Sequence, residues 1–154
     1  MWAIPIDGSA PRAVATNLGQ EVYVGAVDST HAFLGSGPIP LVATAPPVAP
    51  APGAGGWPLA VDDGFVYSAS DTSLRRQTKD GSETIHLAEF PLYTYVATIA
   101  VDDAFVYWSD ASGLLKTRKV GGPTQRIGDP AASLALDASC IYSAVPGGIR
   151  RAPK

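Results

Sequence analysis

Sulfur and imidazole are scarce in this chain of 154 residues. Its one cysteine, Cys140, has no partner, so no disulfide can form within the chain. That leaves the redox compartment open. Two histidines, His31 and His86, are too few for most zinc sites. Only 16% of residues are charged and the net charge is −3, so there is no basic patch and nucleic acid is not an expected partner. From Ala32 to Val61 no charged residue occurs at all, a length that invites a membrane reading. Seven of the fourteen prolines fall between Pro38 and Pro58, however, with Gly53, Gly55 and Gly56 beside them. Such a stretch cannot hold a continuous spanning helix. The start, "MWAIPIDGSAPR", has no charged region leading into a long apolar run, so no signal peptide is expected in this chain. The nucleophile elbow, the phosphate loop and the dinucleotide fingerprint are all missing.

What is present is repetition. "LAVDDGFVYSAS" at 59–70 returns as "IAVDDAFVYWSD" at 99–110. Two weaker relatives bring the series to Ala26-Val27-Asp28, Ala60-Val61-Asp62, Ala100-Val101-Asp102 and Ala135-Leu136-Asp137. Each alanine is followed at a fixed interval by an aromatic: Phe33, Tyr67, Tyr107 and Tyr142. An apolar residue precedes each of these (Ala32, Val66, Val106 and Ile141). A second block trails the first. "SLRRQTKDGSETIHLA" (73–88) parallels "LLKTRKVGGPTQRIG" (114–128), "GIRRAPK" (148–154) is its beginning, and "MWAIPIDGSAPRAVA" at the N-terminus fits it too. Asp7-Gly8, Asp80-Gly81 and Gly121-Gly122 coincide, dipeptides suited to type I′ hairpin turns. The flanking segments are short, β-branched and aromatic, without helical periodicity.

One unit therefore reads strand, Asp turn, strand, polar loop, strand, Gly turn, strand. This four-stranded antiparallel meander is the pattern of a propeller blade. The chain is expected to be all-β, a β-propeller of about four blades, or a partial propeller cut from a larger ring. It forms a single domain over 1–154, with repeats at 1–16 (a half blade), 22–52, 57–90, 96–128 and 132–154. The Pro/Ala-rich segment 41–58 departs most from the pattern. It stands where the third and fourth strands of its blade belong, as an irregular outer edge of polyproline character or as a contact surface. Both ends of the chain read as third strands, one more than a closed four-bladed ring needs. Open blade edges in a fragment would invite association.

The side chains fit this architecture. Crowding near a propeller axis favours the repeated alanine. A period of two puts Phe65 and Tyr67 on one face of their strand and Val66 and Ser68 on the other, so Tyr67 and Tyr107 are expected between blades. Arg75, Arg76, Lys116, Arg118, Arg150 and Arg151 on third strands cover the outer part of each blade. Cys140 takes the position of Phe65 and Phe105, which favours burial. His31 takes the same position in the first repeat and is expected partly buried or exposed, while His86 is expected in solvent.

"VYWSD" at 106–110, followed by "LLKTRKVGG" and preceded by "IAVDD", resembles a YWTD-type β-propeller repeat of the low-density-lipoprotein-receptor kind. The turn "KDG" at 79–81 is also similar to that class, including its bacterial extracytoplasmic members. The resemblance covers 57–154, and 1–34 more loosely. It implies a rigid recognition or scaffold module, mostly without catalysis of its own, with an extracytoplasmic location implied by the resemblance alone.

Two groups of residues are candidates for chemistry. The repeated aspartates Asp28, Asp62, Asp102 and Asp137 would form a ring at the channel mouth, where clustered carboxylates suit calcium. The competing role is structural, since an Asp that ends a strand accepts hydrogen bonds from its own turn. That role is favoured, and no metal or cofactor is assigned. On the opposite face the loops contribute Trp57, Tyr93, Tyr95, Asp71, Asp110 and Asp129. There an aromatic beside a carboxylate could hold a protein or carbohydrate ligand. Trp57 is also placed to pack between blades. The expected function is a non-enzymatic scaffold that binds through this loop face. The alternative is a propeller enzyme, a metal-dependent lactonase or a lyase, working at the aspartates.

Overall fold

A computed structural model of the chain describes residues 2–3, 12–13, 24–34, 37–42, 59–70 and 72–154. Within them every regular element is a strand. Two short strands, β1 (Trp2–Ala3) and β2 (Arg12–Ala13), pair with each other. Fourteen more form four antiparallel sheets. The first sheet contains β3 (Val24–Val27), β4 (His31–Leu34) and β5 (Gly37–Pro40). The second contains β6 (Leu59–Val61), β7 (Phe65–Ala69), β8 (Ser73–Thr78) and β9 (Thr84–Glu89). The third contains β10 (Thr98–Val101), β11 (Phe105–Asp110), β12 (Gly113–Arg118) and β13 (Gln125–Gly128). The last contains β14 (Ser133–Leu136), β15 (Cys140–Val145) and β16 (Gly148–Pro153). Each strand pairs with the next in sequence, so every sheet is a meander.

The registers superimpose. Ala60 faces Tyr67, Ala100 faces Tyr107 and Ala135 faces Tyr142 across the first two strands of their sheets. The first strands stand side by side in chain order, β3 by β6, β6 by β10 and β10 by β14. Between consecutive sheets lie three small cores. Phe33 meets Val66; Tyr67 and Leu74 meet Ile99, Val106 and Trp108; Tyr107 and Leu114 meet Ile141, Leu134 and Leu136. Tyr67 and Tyr107 are fully buried and Val66 and Val106 are buried on the opposite face, as the alternation predicts.

Several expectations need correction. The third strand of the first sheet is β5, placed ahead of the Pro/Ala-rich segment rather than inside it. Pro38 and Pro40 are tolerated because β5 pairs on one side only among the described residues. Residues 43–58 lie outside the described residues. Asp80-Gly81 does not build a type I′ turn, because only Gly81 of the pair has positive φ (75°). The β8–β9 connection closes at Gln77–Thr84, with the Gly81 amide bonded to the Thr78 carbonyl. Of the repeated alanines only Ala60 is buried, and Ala135 is exposed. His31, expected at least partly in solvent, is 3% exposed. Its ring lies against Phe33 and its Nδ1 is 2.9 Å from the Thr30 hydroxyl, so one polar atom is satisfied where the rest is covered.

Candidate functional site

The two groups of candidate residues lie at opposite ends of the strands. Phe65 pairs with Thr78 at the aspartate end, and Ala69 pairs with Leu74 at the other.

At the aspartate end the same construction occurs four times. One carboxylate oxygen of Asp62 accepts the Gly64 and Phe65 amides at 3.0 and 2.8 Å. The corresponding oxygen of Asp102 takes Ala104 and Phe105, that of Asp137 takes Ser139 and Cys140, and that of Asp28 takes Thr30 and His31. This is an aspartate closing its own turn, as its position at a strand end requires. The second oxygen accepts a phenol from five residues on. Tyr67 donates to Asp62 at 2.8 Å, Tyr107 to Asp102 at 2.9 Å and Tyr142 to Asp137 at 2.7 Å. Phe33 has no hydroxyl to offer Asp28.

A third partner comes from the following sheet. Lys79 at the end of β8 reaches back to Asp28 (2.5 Å), Lys119 beyond β12 reaches Asp62 (2.6 Å), and Lys154 beyond β16 reaches Asp102 (3.2 Å). Lys79 and Lys119 also lie over the Phe33 and Tyr67 rings of the sheet they reach. These lysines belong to no candidate group read from the sequence, although "RRQTK", "KTRK" and "RRAPK" place them in one phase of the repeat.

The electrostatics follow from these contacts. Burial pushes the Asp28 carboxyl upward, but Lys79 and the Thr30 and His31 donors outweigh it and hold the group well below the usual carboxylate range. Asp62 is likewise lowered, its burial overcome by Lys119, Tyr67 and its turn amides. Asp102 is lowered, burial again being overcome by the Phe105 and Ala104 amides with Tyr107 and Lys154. Asp137 is lowered by the Tyr142 hydroxyl first and then by its turn amides. Desolvation and the facing carboxylates push the Tyr67 and Tyr107 phenols far up.

A cleft of about 630 Å³ opens at this end between the second and third sheets, bordered by Asp62, Asp63, Arg76, Asp102, Asp103 and Lys119. Arg76 is held across it by the Lys119 carbonyl at 2.8 Å and lies over Phe65. No group of three or more His, Cys, Asp or Glu side chains among the described residues is arranged to hold a metal ion. The carboxylates that could do so are engaged by turn amides in all four, by a phenol in three and by an ammonium group in three.

At the opposite end, Trp57 and Asp71 lie outside the described residues. Asp110 closes the β11–β12 hairpin by accepting the Ser112 amide and hydroxyl. Asp129 forms ion pairs with Arg150 and Arg126. Neither carboxylate is brought to an aromatic by a described contact. Tyr93 and Tyr95 stand apart from them, 81% and 78% exposed, on the β9–β10 connection beside exposed Leu92. Tyr93 has φ 66°, an uncommon conformation for a residue with a bulky side chain. Thr94 fixes this turn, donating its amide and hydroxyl to the Pro91 carbonyl at 3.1 and 2.7 Å. Sequence composition marked both tyrosines as loop aromatics, but not the backbone that holds Tyr93 outward.

Fold and geometry define an all-β chain of repeated antiparallel sheets. The computationally designed Ika4 protein is similar in structure, with TM-score 0.65 and 14% identity over 92% of this chain and 98% of that one. The designed Ika8 protein aligns with TM-score 0.51 and 16% identity over 64% of this chain and 33% of that one. The extracellular domain of BT4673 from B. thetaiotaomicron aligns with TM-score 0.50 and 10% identity, covering 97% of this chain and 18% of that one. At these identities the likeness is one of fold. No protein-family model and no curated protein matches the chain.

Proposed function

We propose that this chain is a β-propeller module of about four blades, related to YWTD-type repeats, that serves as a non-enzymatic scaffold and binds protein or glycan through its loop face. The observation that carries the reading is the β9–β10 loop. Two tyrosines and a leucine stand in solvent there, and one of the tyrosines occupies a strained backbone conformation. Strain of this kind costs about 1–3 kcal/mol and persists where the surroundings enforce it, typically at functional positions. Rigid aromatics offer large contact area at low entropic cost, which suits sugar rings and peptide side chains alike. An extracytoplasmic location belongs to the same proposal.

The test uses the full chain on a glycan microarray and against a displayed peptide library, beside the Tyr93→Ser/Tyr95→Ser double variant. We expect specific ligands for the parent chain and their loss in the variant, with an unchanged melting temperature. Ligands retained by the variant would move the binding site elsewhere.

The enzyme reading, with a metal at the aspartates, has less support because those oxygens already accept hydrogen bonds. Calorimetry with calcium separates the two readings. We expect no saturable binding. Tight binding that is abolished by Asp62→Asn together with Asp102→Asn would restore the enzyme.

A further inference from the structure

At the aspartate end three of the four sheets have a lysine on their turn carboxylate, and among the described residues the fourth has none. Asp28, Asp62 and Asp102 each hold a lysine from the sheet that follows. Asp137 has its two turn amides and the Tyr142 phenol but no ammonium group among the described residues. The same face lacks its apolar cover. Leu74 and Leu114 occupy equivalent positions near the start of their third strands and are 0% and 4% exposed under the next sheet. Ile149, their counterpart on β16, is 77% exposed. Tyr142 is only half-buried where Tyr67 and Tyr107 are fully buried. All of β16 is exposed, and it has no fourth strand beside it among the described residues.

The first sheet of a second copy does not supply what is missing. Leu41 holds the lysine phase there: its amide donates to Thr30 as those of Lys79, Lys119 and Lys154 donate to Gly64, Ala104 and Ser139. Ala32 and Leu34, on the face of β4 turned away from Phe33, are already 1% and 2% exposed. From this geometry we propose that the bare face of the β14–β16 sheet is a docking surface for a sheet of this same repeat type on a partner polypeptide, one that presents a lysine to Asp137 and an apolar side to Tyr142 and Ile149. The surface is distinct from the loop face and does not depend on what that face binds.

Because Lys79, Lys119 and Lys154 are in phase, a second copy of residues 80–119 attached after Lys154 continues the repeat by one sheet. Tethering makes the encounter intramolecular, so weak affinity between separate chains cannot hide it. Amide hydrogen exchange over 148–153 and labelling of Ile149→Cys in a Cys140→Ser background report on the face. In the parent chain both are expected to be fast, with the protein sedimenting as a monomer. In the extended chain both should slow by roughly tenfold or more. Most of that protection should vanish with Lys119→Met in the attached copy, or with Asp137→Asn. The unlabelled protein gives the exchange result even if the cysteine variant fails to fold. Protection already present in a monomeric parent would mean that the chain covers its own face, and protection in a dimeric parent would mean that a second copy does. Either outcome overturns the proposal, as would an attached sheet that protects nothing or protects without its lysine.

Discussion

Tyr107 concentrates two kinds of energy in one residue. Its ring is buried between the third and fourth sheets and its hydroxyl meets Asp102 at 2.9 Å. Tyr107→Phe keeps the ring and removes the hydrogen bond, for an expected loss of about 1 kcal/mol. Tyr107→Ala also leaves a cavity, for about 3–5 kcal/mol. Against a total stability of order 5–15 kcal/mol the second change approaches unfolding. Urea titration of both variants separates the two contributions, and equal losses would show that the ring contributes nothing beyond its hydroxyl.

The pKa shifts at these residues set a pH window. The four aspartates have folded pKa values below their unfolded values. Their contribution is fully present above the unfolded value of about 3.9 and is lost as pH falls below it. Tyr67 and Tyr107 are raised, so their contribution is fully present below an unfolded value of about 10 and is lost as pH rises past it. The urea midpoint should therefore be flat between about pH 5 and 9 and fall on both sides. The acid limb should flatten in Asp62→Asn. A midpoint that falls steadily across neutral pH would count against this assignment.

At the scale of the element, the β11–β12 hairpin turns through Ala111 and Ser112 alone and closes at Gly113. Gly113 has φ 145°, and a Cβ there would stand 2.5 Å from the Arg126 Nε and 2.7 Å from the Gly128 carbonyl oxygen. The arginine can move; the strand β13 backbone cannot do so freely. Gly113→Ala is expected to cost about 1–3 kcal/mol through backbone strain, seen as a lower melting temperature with unchanged far-ultraviolet circular dichroism. Gly64→Ala, in open space, is the control.

The strands themselves were largely legible in the sequence. A tyrosine at a fixed interval after Ala-Val-Asp can only repeat if the chain repeats, and the alternation in "FVYSA" and "FVYWSD" then decides which side is buried. The aspartate turns were legible for the same reason, since a strand-ending Asp has its own amides within reach. The lysine bridges were not, because they join repeats across 51 and 57 residues and no local pattern couples such positions. The backbone of Tyr93 was hidden too. Positive φ is a property that glycine advertises and tyrosine does not.

For the whole molecule, neighbour-to-neighbour contact is the organising fact. Each sheet packs on the next through a small core and an ion pair, so stability is expected to be a sum of sheet and interface contributions. Lys119→Met tests this. The change lies beyond the third strand of the third sheet, yet it leaves Asp62, in the second, without its ammonium partner. Hydrogen exchange should accelerate at Gly64 and Phe65 as well as around residue 119. Acceleration confined to residue 119 would show that the bridge carries no energy between sheets. No described element is a helix, let alone one long and apolar enough to cross a membrane.

The backward reach of those lysines sets a timetable. Lys79 serves a carboxylate made 51 residues earlier, and Lys119 one made 57 residues earlier. At synthesis rates of about 5–20 residues per second, these two aspartate turns wait roughly 3–11 s for their last partner. During that interval the newest sheet leaves the ribosome with its carboxylate uncompensated and its Leu74-type side chain in water. A growing chain therefore always carries one unfinished face at its leading end, and that face moves forward by one repeat each time a lysine arrives.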